Sequence, residues 1–132
     1  RLKNTTDQAA TATGSAMSET FHSVIAEADF PEDGKVATQV NDWYVLLAKI
    51  DGHYHAVNDR CTHAASFLST GRIRRGAVMC PLHGARFELA SGRCMGGAYK
   101  DLRTFPVRVV DGQVEVAVPD AKPGMEELPI QF

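Results

Sequence analysis

The sequence predicts an all-β domain interrupted midway by a segment built to hold a metal. Three observations carry this expectation. Asp-Gly pairs at 51–52 and 111–112 sit between apolar runs, and Asp-Gly is a strong signal for a two-residue hairpin turn. No stretch shows a long, capped helical period. Between the two hairpins lie Cys61-Thr62-His63 and Cys80-Pro81-Leu82-His83, sixteen residues apart.

The elements follow in order. Residues 1–16 are rich in Thr, Ala, Ser and Gly, and Gly14-Ser15-Ala16 before Met17 reads as a cloning remnant or a flexible extension. Residues 17–132 suit one domain. Phe21 to Ala26 is the first expected strand and Gly34 to Val40 the second. Trp43 to Ile50 is apolar on both faces, which places it centrally in a sheet or between sheets. Asp51-Gly52 turns the chain, and His53 to Asn58 returns. A second hairpin runs from Pro106 to Val110, turns at Asp111-Gly112, and leaves along Gln113 to Val118. There Val114, Val116 and Val118 alternate with Glu115 and Ala117, as a half-buried strand requires, and Pro119 ends the run. The base of the domain is thus about 17–58 and 98–132, with about 59–97 inserted. Gly71, Gly76, Gly84, Gly92, Gly96 and Gly97 crowd the insertion, where close backbone approach to a metal centre favours them.

Several function classes fall away. A net charge of −2, with no interleaving of aromatic and basic residues, gives no expectation of nucleic-acid binding. The longest apolar run, Trp43-Tyr44-Val45-Leu46-Leu47-Ala48, is too short to cross a bilayer. No charged-then-apolar leader opens the chain, so a cytoplasmic protein without membrane attachment is expected. Three cysteines, an odd number, argue against a disulfide framework, and Cys94 reads as a small buried hydrophobe. His53 and His55 fit solvated strand positions, and neither they nor His22 are assigned a ligand role.

Four residues remain as candidate metal ligands: Cys61, His63, Cys80 and His83. Each short segment offers one soft, charged thiolate and one borderline, neutral imidazole, so two loops can close on one centre from opposite sides. Two kinds of centre use this donor set. Zinc takes Cys2His2 in a tetrahedron. A [2Fe–2S] cluster can be held by two Cys on one iron and two His on the other. Zinc hairpins usually pair like with like, whereas each loop here mixes the two, which favours the two-iron core.

From Cys61 to His83 the chain resembles the Rieske family, whose signature is C-x-H, a spacer, then C-x-x-H. Pro81, Gly84, Phe87 and Ser91-Gly92-Arg93 extend the resemblance, as do Leu102 and Phe105-Pro106-Val107. The resemblance implies the Rieske fold: an antiparallel β-sandwich or barrel base carrying an inserted cluster-binding subdomain of two loops. It implies one Rieske-type [2Fe–2S] cluster bound by Cys61, His63, Cys80 and His83, and no catalytic residue. His63 and His83 are expected to present their free ring edges outward, as the exit for an electron.

Charge arithmetic indicates what such a centre does. An oxidised Fe2S2 core of charge 2+, with two thiolates and two neutral imidazoles, is uncharged; four thiolates would leave it at −2. Adding an electron to a neutral site is easier, and Rieske centres lie at about −150 to +300 mV against about −400 mV for plant-type ferredoxins. High-potential respiratory members carry Ser and Tyr hydroxyls two and four positions after the second His, and a disulfide between the loops. Here those positions are Ala85 and Phe87, and the bridge positions are Ser66 and Leu82. A potential near the bottom of the range, about −150 mV, is expected.

No histidine follows His83, so the 2-His-1-carboxylate iron site of an oxygenase is not expected. The resemblance is to the Rieske ferredoxin components of bacterial aromatic-ring-hydroxylating dioxygenases. It implies a one-electron carrier, monomeric in isolation, between a flavin-dependent NAD(P)H ferredoxin reductase and a terminal Rieske non-haem iron oxygenase. Docking through the histidine edges and an apolar rim of Ala64, Ala65, Pro81 and Leu82 is expected. The small subunit of a nitrite reductase is the alternative redox role; a zinc-binding interaction module is the alternative from another class. Arg72, Arg74 and Arg75 allow two readings: a basic patch that steers an acidic partner, or charges that guard a sheet edge. The edge reading is the preferred one.

Overall fold

In the computed structural model, residues 19–31, 34–62, 65–82 and 84–129 are described. His63, Ala64 and His83 lie outside them, as does the N-terminal stretch 1–16. Ten strands are found among the described residues: β1 (Glu19–Ala26), β2 (Lys35–Val40), β3 (Trp43–Ile50), β4 (His53–Asn58), β5 (Arg72–Arg74), β6 (Ala77–Met79), β7 (Arg86–Glu88), β8 (Thr104–Phe105), β9 (Val107–Val110) and β10 (Gln113–Pro119). They form three antiparallel sheets, in the orders β1-β10-β9, β2-β3-β4-β8 and β5-β6-β7. Two short 3-10 turns, Glu27–Asp29 and Met125–Glu127, are the helical pieces.

Both expected hairpins form. Asp51 and Gly52 take φ of 51° and 83°, and Asp111 and Gly112 take 51° and 77°, the left-handed pair that a type I′ turn requires. Two further turns have the same character: Asn41-Asp42 between β2 and β3, and Arg75-Gly76 between β5 and β6. Strand ends shift for local reasons. β1 starts at Glu19, two residues before its expected start, because β10 continues to Pro119 and supplies a partner. β2 starts one residue late because Gly34, at φ 82°, belongs to a turn and donates to the Pro31 carbonyl at 3.0 Å.

β3 and β4 explain the doubly apolar run. Side chains alternate across a sheet, so neighbouring residues of β3 serve opposite sides. Val45 and Leu47, with Ala56 of β4, face the β1-β10-β9 sheet and meet Val114, Val116, Val118, Trp43 and Phe105 in one buried cluster. Leu46 and Ala48, with Val57, face the inserted segment and meet Leu68, Val78, Phe87, Leu89 and Leu102 in another. Cys61, Cys80 and Cys94 belong to that second cluster. The central sheet is therefore a wall shared by two cores, and both thiols of the motif lie on one side of it. No helix among the described residues is long and apolar enough to span a membrane.

Candidate metal centre

Each cysteine of the motif opens a loop that is closed in the same way. The Cys61 N–H donates to the Ser66 carbonyl at 2.9 Å, and the Cys80 N–H donates to the Ala85 carbonyl at 2.7 Å. Both bonds span five residues, and the motif histidine falls inside each loop. In the second loop Gly84, at φ 76°, also donates to the Cys80 carbonyl at 3.0 Å. Cys61 and Cys80 are buried at 0% and 1% exposure. The structure brings these two thiols into one apolar cluster; His63 and His83 lie outside the described residues.

The loops are carried by different supports. The second is the connection between β6 and β7, so the Val78–Phe87 and Met79–Arg86 pairs fix its two ends. The first leaves β4 and has no strand on its far side. Asp59, buried at 1% exposure, fills that gap: one carboxylate oxygen accepts from the backbone N–H groups of Leu68 and Ser69, both at 2.7 Å. A carboxylate that takes two backbone donors holds a loop more tightly than a neutral acceptor would. The Asp59 N–H donates in turn to the Tyr44 carbonyl of β3 at 2.8 Å. Arg60 bonds the Cys61 carbonyl at 3.2 Å and the Leu128 carbonyl at 3.1 Å, and the Asn58 amide donates to the Glu127 carbonyl at 2.9 Å. The chain near its C-terminus thus clamps the root of the first loop.

A third stretch, 92–102, backs both loops. Cys94 is buried, bridges to Phe87, and its N–H donates to an Asp101 carboxylate oxygen at 2.9 Å. The reading of Cys94 as a small core residue agrees with this position. Thr62 donates its hydroxyl to the Lys100 carbonyl, tying the first loop to the same stretch. Gly71 is required for a packing reason: a Cβ there would lie 1.9 Å from the Met79 carbonyl oxygen, one residue before Cys80. Sequence reasoning missed Asn58, Asp59, Arg60 and the Gly71 contact. Asn58 reads there only as the end of a strand, and Asp59 and Arg60 only as the start of the inserted segment, because the partners that give them their roles are nine or more residues away.

Phe87 is fully buried and Ala85 nearly so, and neither brings a hydroxyl to the cluster that holds both thiols. Of the expected rim, Leu82 is 60% exposed and Pro81 is exposed, whereas Ala65 is half-buried and Ala64 lies outside the described residues. The exposure of Leu82 favours its place on a rim over a role in packing the loops together. His53 is exposed and His55 half-buried, as solvated strand positions require; the His22 Nε2 is buried without a hydrogen-bond partner.

Comparison with known proteins agrees with this geometry. The Rieske [2Fe-2S] domain family matches residues 20–106. The ferredoxin component of the naphthalene 1,2-dioxygenase/salicylate 5-hydroxylase systems of Ralstonia is 32% identical over 87 residues, covering 65% of this chain and 84% of that protein. The 3-phenylpropionate/cinnamic acid dioxygenase ferredoxin subunit of Escherichia coli K12 is 35% identical over 98 residues, covering 73% and 92%. Among solved structures, a complex of reduced oxygenase and oxidised ferredoxin in carbazole 1,9a-dioxygenase contains a chain that superimposes with a TM-score of 0.66 at 26% identity, covering 72% of this chain and 99% of that one. A putative NADH-dependent nitrite reductase small subunit from Mycobacterium tuberculosis superimposes at 0.67 with 24% identity over 76% and 96%, a likeness of fold alone. The family match implies one Rieske-type [2Fe–2S] cluster. The residues described fit that group: two buried thiols share one apolar cluster, at the mouths of two loops closed by matching bonds.

Proposed function

Because this chain belongs to the Rieske [2Fe–2S] domain family, we propose that it is a one-electron carrier that connects a flavin-dependent NAD(P)H reductase to a terminal aromatic-ring-hydroxylating oxygenase. One observation carries the proposal: two loops of matched closure present buried Cys61 and Cys80 from one apolar cluster, in a chain that aligns with nearly the full length of ferredoxin subunits. Cys61 and Cys80 supply the two thiolates and His63 and His83 the two imidazoles. The cluster, when bound, supplies a site that takes up and gives away a single electron.

The protein's own residues do the rest. The Ser66 and Ala85 carbonyls close the loops, and Asp59 holds the first of them to the sheet. Leu68, Phe87 and Leu89 keep water from the thiol side. Exposed Pro81 and Leu82 form the apolar rim over which a partner would approach the histidine edges. Residues 59–97 serve as the cluster-binding subdomain, and 17–58 with 98–132 as the base; the two buried clusters on either side of the central sheet support that division. The protein works in the cytoplasm as a monomer, at a potential of about −150 mV.

Anaerobic reduction of the iron- and sulfide-loaded protein, followed by EPR and visible absorption, tests the assignment. The expected result is a coloured protein with a Rieske spectrum that is lost in His63→Ala and in His83→Ala. A colourless protein that binds zinc would overturn it. NADH-driven reduction by candidate reductases, followed by transfer to candidate oxygenases, then identifies the partners.

A further inference from the structure

The small sheet β5-β6-β7 has two unlike faces. Ile73, Val78 and Phe87 form one cross-strand row and turn into the core that holds the thiols. The next row, Arg72–Met79–Arg86, points to the other face, and Arg74 begins a third row on that same side. Arg75 follows in the turn. All four arginines are exposed, and among the described residues none makes an ion pair. They surround a hollow of about 330 Å³ whose floor includes Met79 and Met95.

Guarding a sheet edge explains only part of this arrangement. β5 is the open edge, so Arg72 and Arg74 fit that purpose. Arg86 does not: it stands two strand spacings, or about 10 Å, away on β7, whose outer side is already bonded to residues 93–95, the Glu88 N–H donating to the Arg93 carbonyl at 2.9 Å and the Met95 N–H to the Arg86 carbonyl at 2.8 Å. The positive charge spans the face from β5 to β7 along the Arg72–Met79–Arg86 row, while the Arg74–Ala77 row ends at half-buried Glu88, whose carboxylate accepts from the Ser91 hydroxyl. The positive charge is also segregated. The entire chain carries −2, so removing four positive charges leaves −6 for the remainder. A face of this sign does not follow from the overall composition.

Resting on the electron-carrier reading above, we propose that this arginine face docks the acidic surface of a redox partner protein, beside the Cys80 loop. Met79 lies at the centre of the face and is joined directly to Cys80. Exposed Pro81 lines the adjoining hollow with Arg72 and Arg74, so the face runs onto the second loop. Adaptable methionines ringed by guanidinium groups suit a protein surface with apolar contacts inside an acidic border. A polyanion such as DNA would instead meet the −6 of the remaining chain. In the docked pair the partner's centre loses one electron as this protein's centre gains one, with no bond made or broken.

The test uses the loaded protein and a reduced, acidic plant-type [2Fe–2S] ferredoxin as donor; at about −400 mV its electron runs downhill to a Rieske centre. Stopped-flow rates are taken between about 10 mM and 1 M salt, over which the screening length falls from roughly 30 Å to 3 Å. The rate is expected to fall at least about tenfold, although both proteins are net negative. R86E, which leaves the β5 edge intact, should lower the low-salt rate about fivefold. K122E makes the same change in net charge at an exposed position on another part of the chain and should leave the rate unchanged. Calorimetric titration of the two oxidised proteins should show the same fivefold loss of affinity in R86E, independent of electron transfer. The docking inference is overturned if the rate rises with salt, as net charge alone dictates, or if R86E and K122E behave alike. It is overturned equally if R86E alters binding to anionic phospholipid vesicles or DNA but not to the donor. A loaded protein that accepts no electron from any donor overturns the carrier reading itself, and this inference with it.

Discussion

The two faces of the central sheet share the same strands, β3 and β4, yet they are held together by different means. On the side of β1, β9 and β10, long strands meet over Trp43, Val45, Leu47, Val114, Val116 and Val118, and apolar contact does most of the work. Trp43 also stacks edge-on with Phe105 at 5.6 Å and donates to the Ala121 carbonyl at 3.0 Å. On the other side the strands are three residues long, and the thiols sit on the loop that leaves β4 and on the loop between β6 and β7. There the shape depends on polar pins: Asp59 to Leu68 and Ser69, Asp101 to Cys94, and the two loop-closing backbone bonds. The difference teaches that the base is specified by burial, whereas the site side is specified by directional bonds and by the metal that completes it.

The sharpest way to break that contrast is to remove a thiol. Cys61→Ser is expected to abolish cluster binding. Amide exchange should then accelerate at Val78 and Phe87 while Val114 and Val116 stay protected; uniform loss of protection would show that the two sides are not separable. Trp43→Ala attacks the opposite side. It should cost about 4 kcal/mol in urea unfolding, with the visible spectrum of the loaded protein retained. Gly71→Ala places a methyl group against the Met79 carbonyl and should cost about 3 kcal/mol, together with a weakened or shifted cluster spectrum. Asp59→Ala strands two backbone donors and should cost about 2 kcal/mol, read as faster exchange at Leu68 and Ser69. The smallest effect is expected of Phe87→Tyr. A new hydroxyl donor worth about 1 kcal/mol corresponds to about 40 mV for one electron, so film voltammetry should show an upward shift of that size.

Legibility in the sequence divides along the same line. β3 and β4 lie where the apolar run and the Asp51-Gly52 turn place them, residue for residue, because their signals are local. β9 and β10 differ from expectation only at their ends. The inserted segment was legible as chemistry rather than as structure. Cys61 and Cys80 announce themselves by type and spacing, but three-residue strands such as β5 to β7 are too short to show a period. Arg75-Gly76 turns the chain like an Asp-Gly pair, yet arginine is not a residue that advertises a left-handed conformation. Asp59 and Arg86 were hidden for another reason. Their roles depend on partners nine or more residues away in the chain, or on a face assembled from three strands.

One consequence of the shared wall concerns how β3 finds its alignment. In most half-buried strands a slip by one residue would drive apolar side chains into water, and that penalty fixes the pairing. Here both directions are oily, so sliding exchanges Leu46 for Leu47 without wetting either. The tight reversals at Asn41-Asp42 and Asp51-Gly52 must therefore do the measuring, and one residue inserted into either would turn the thiol chamber and the valine chamber inside out together.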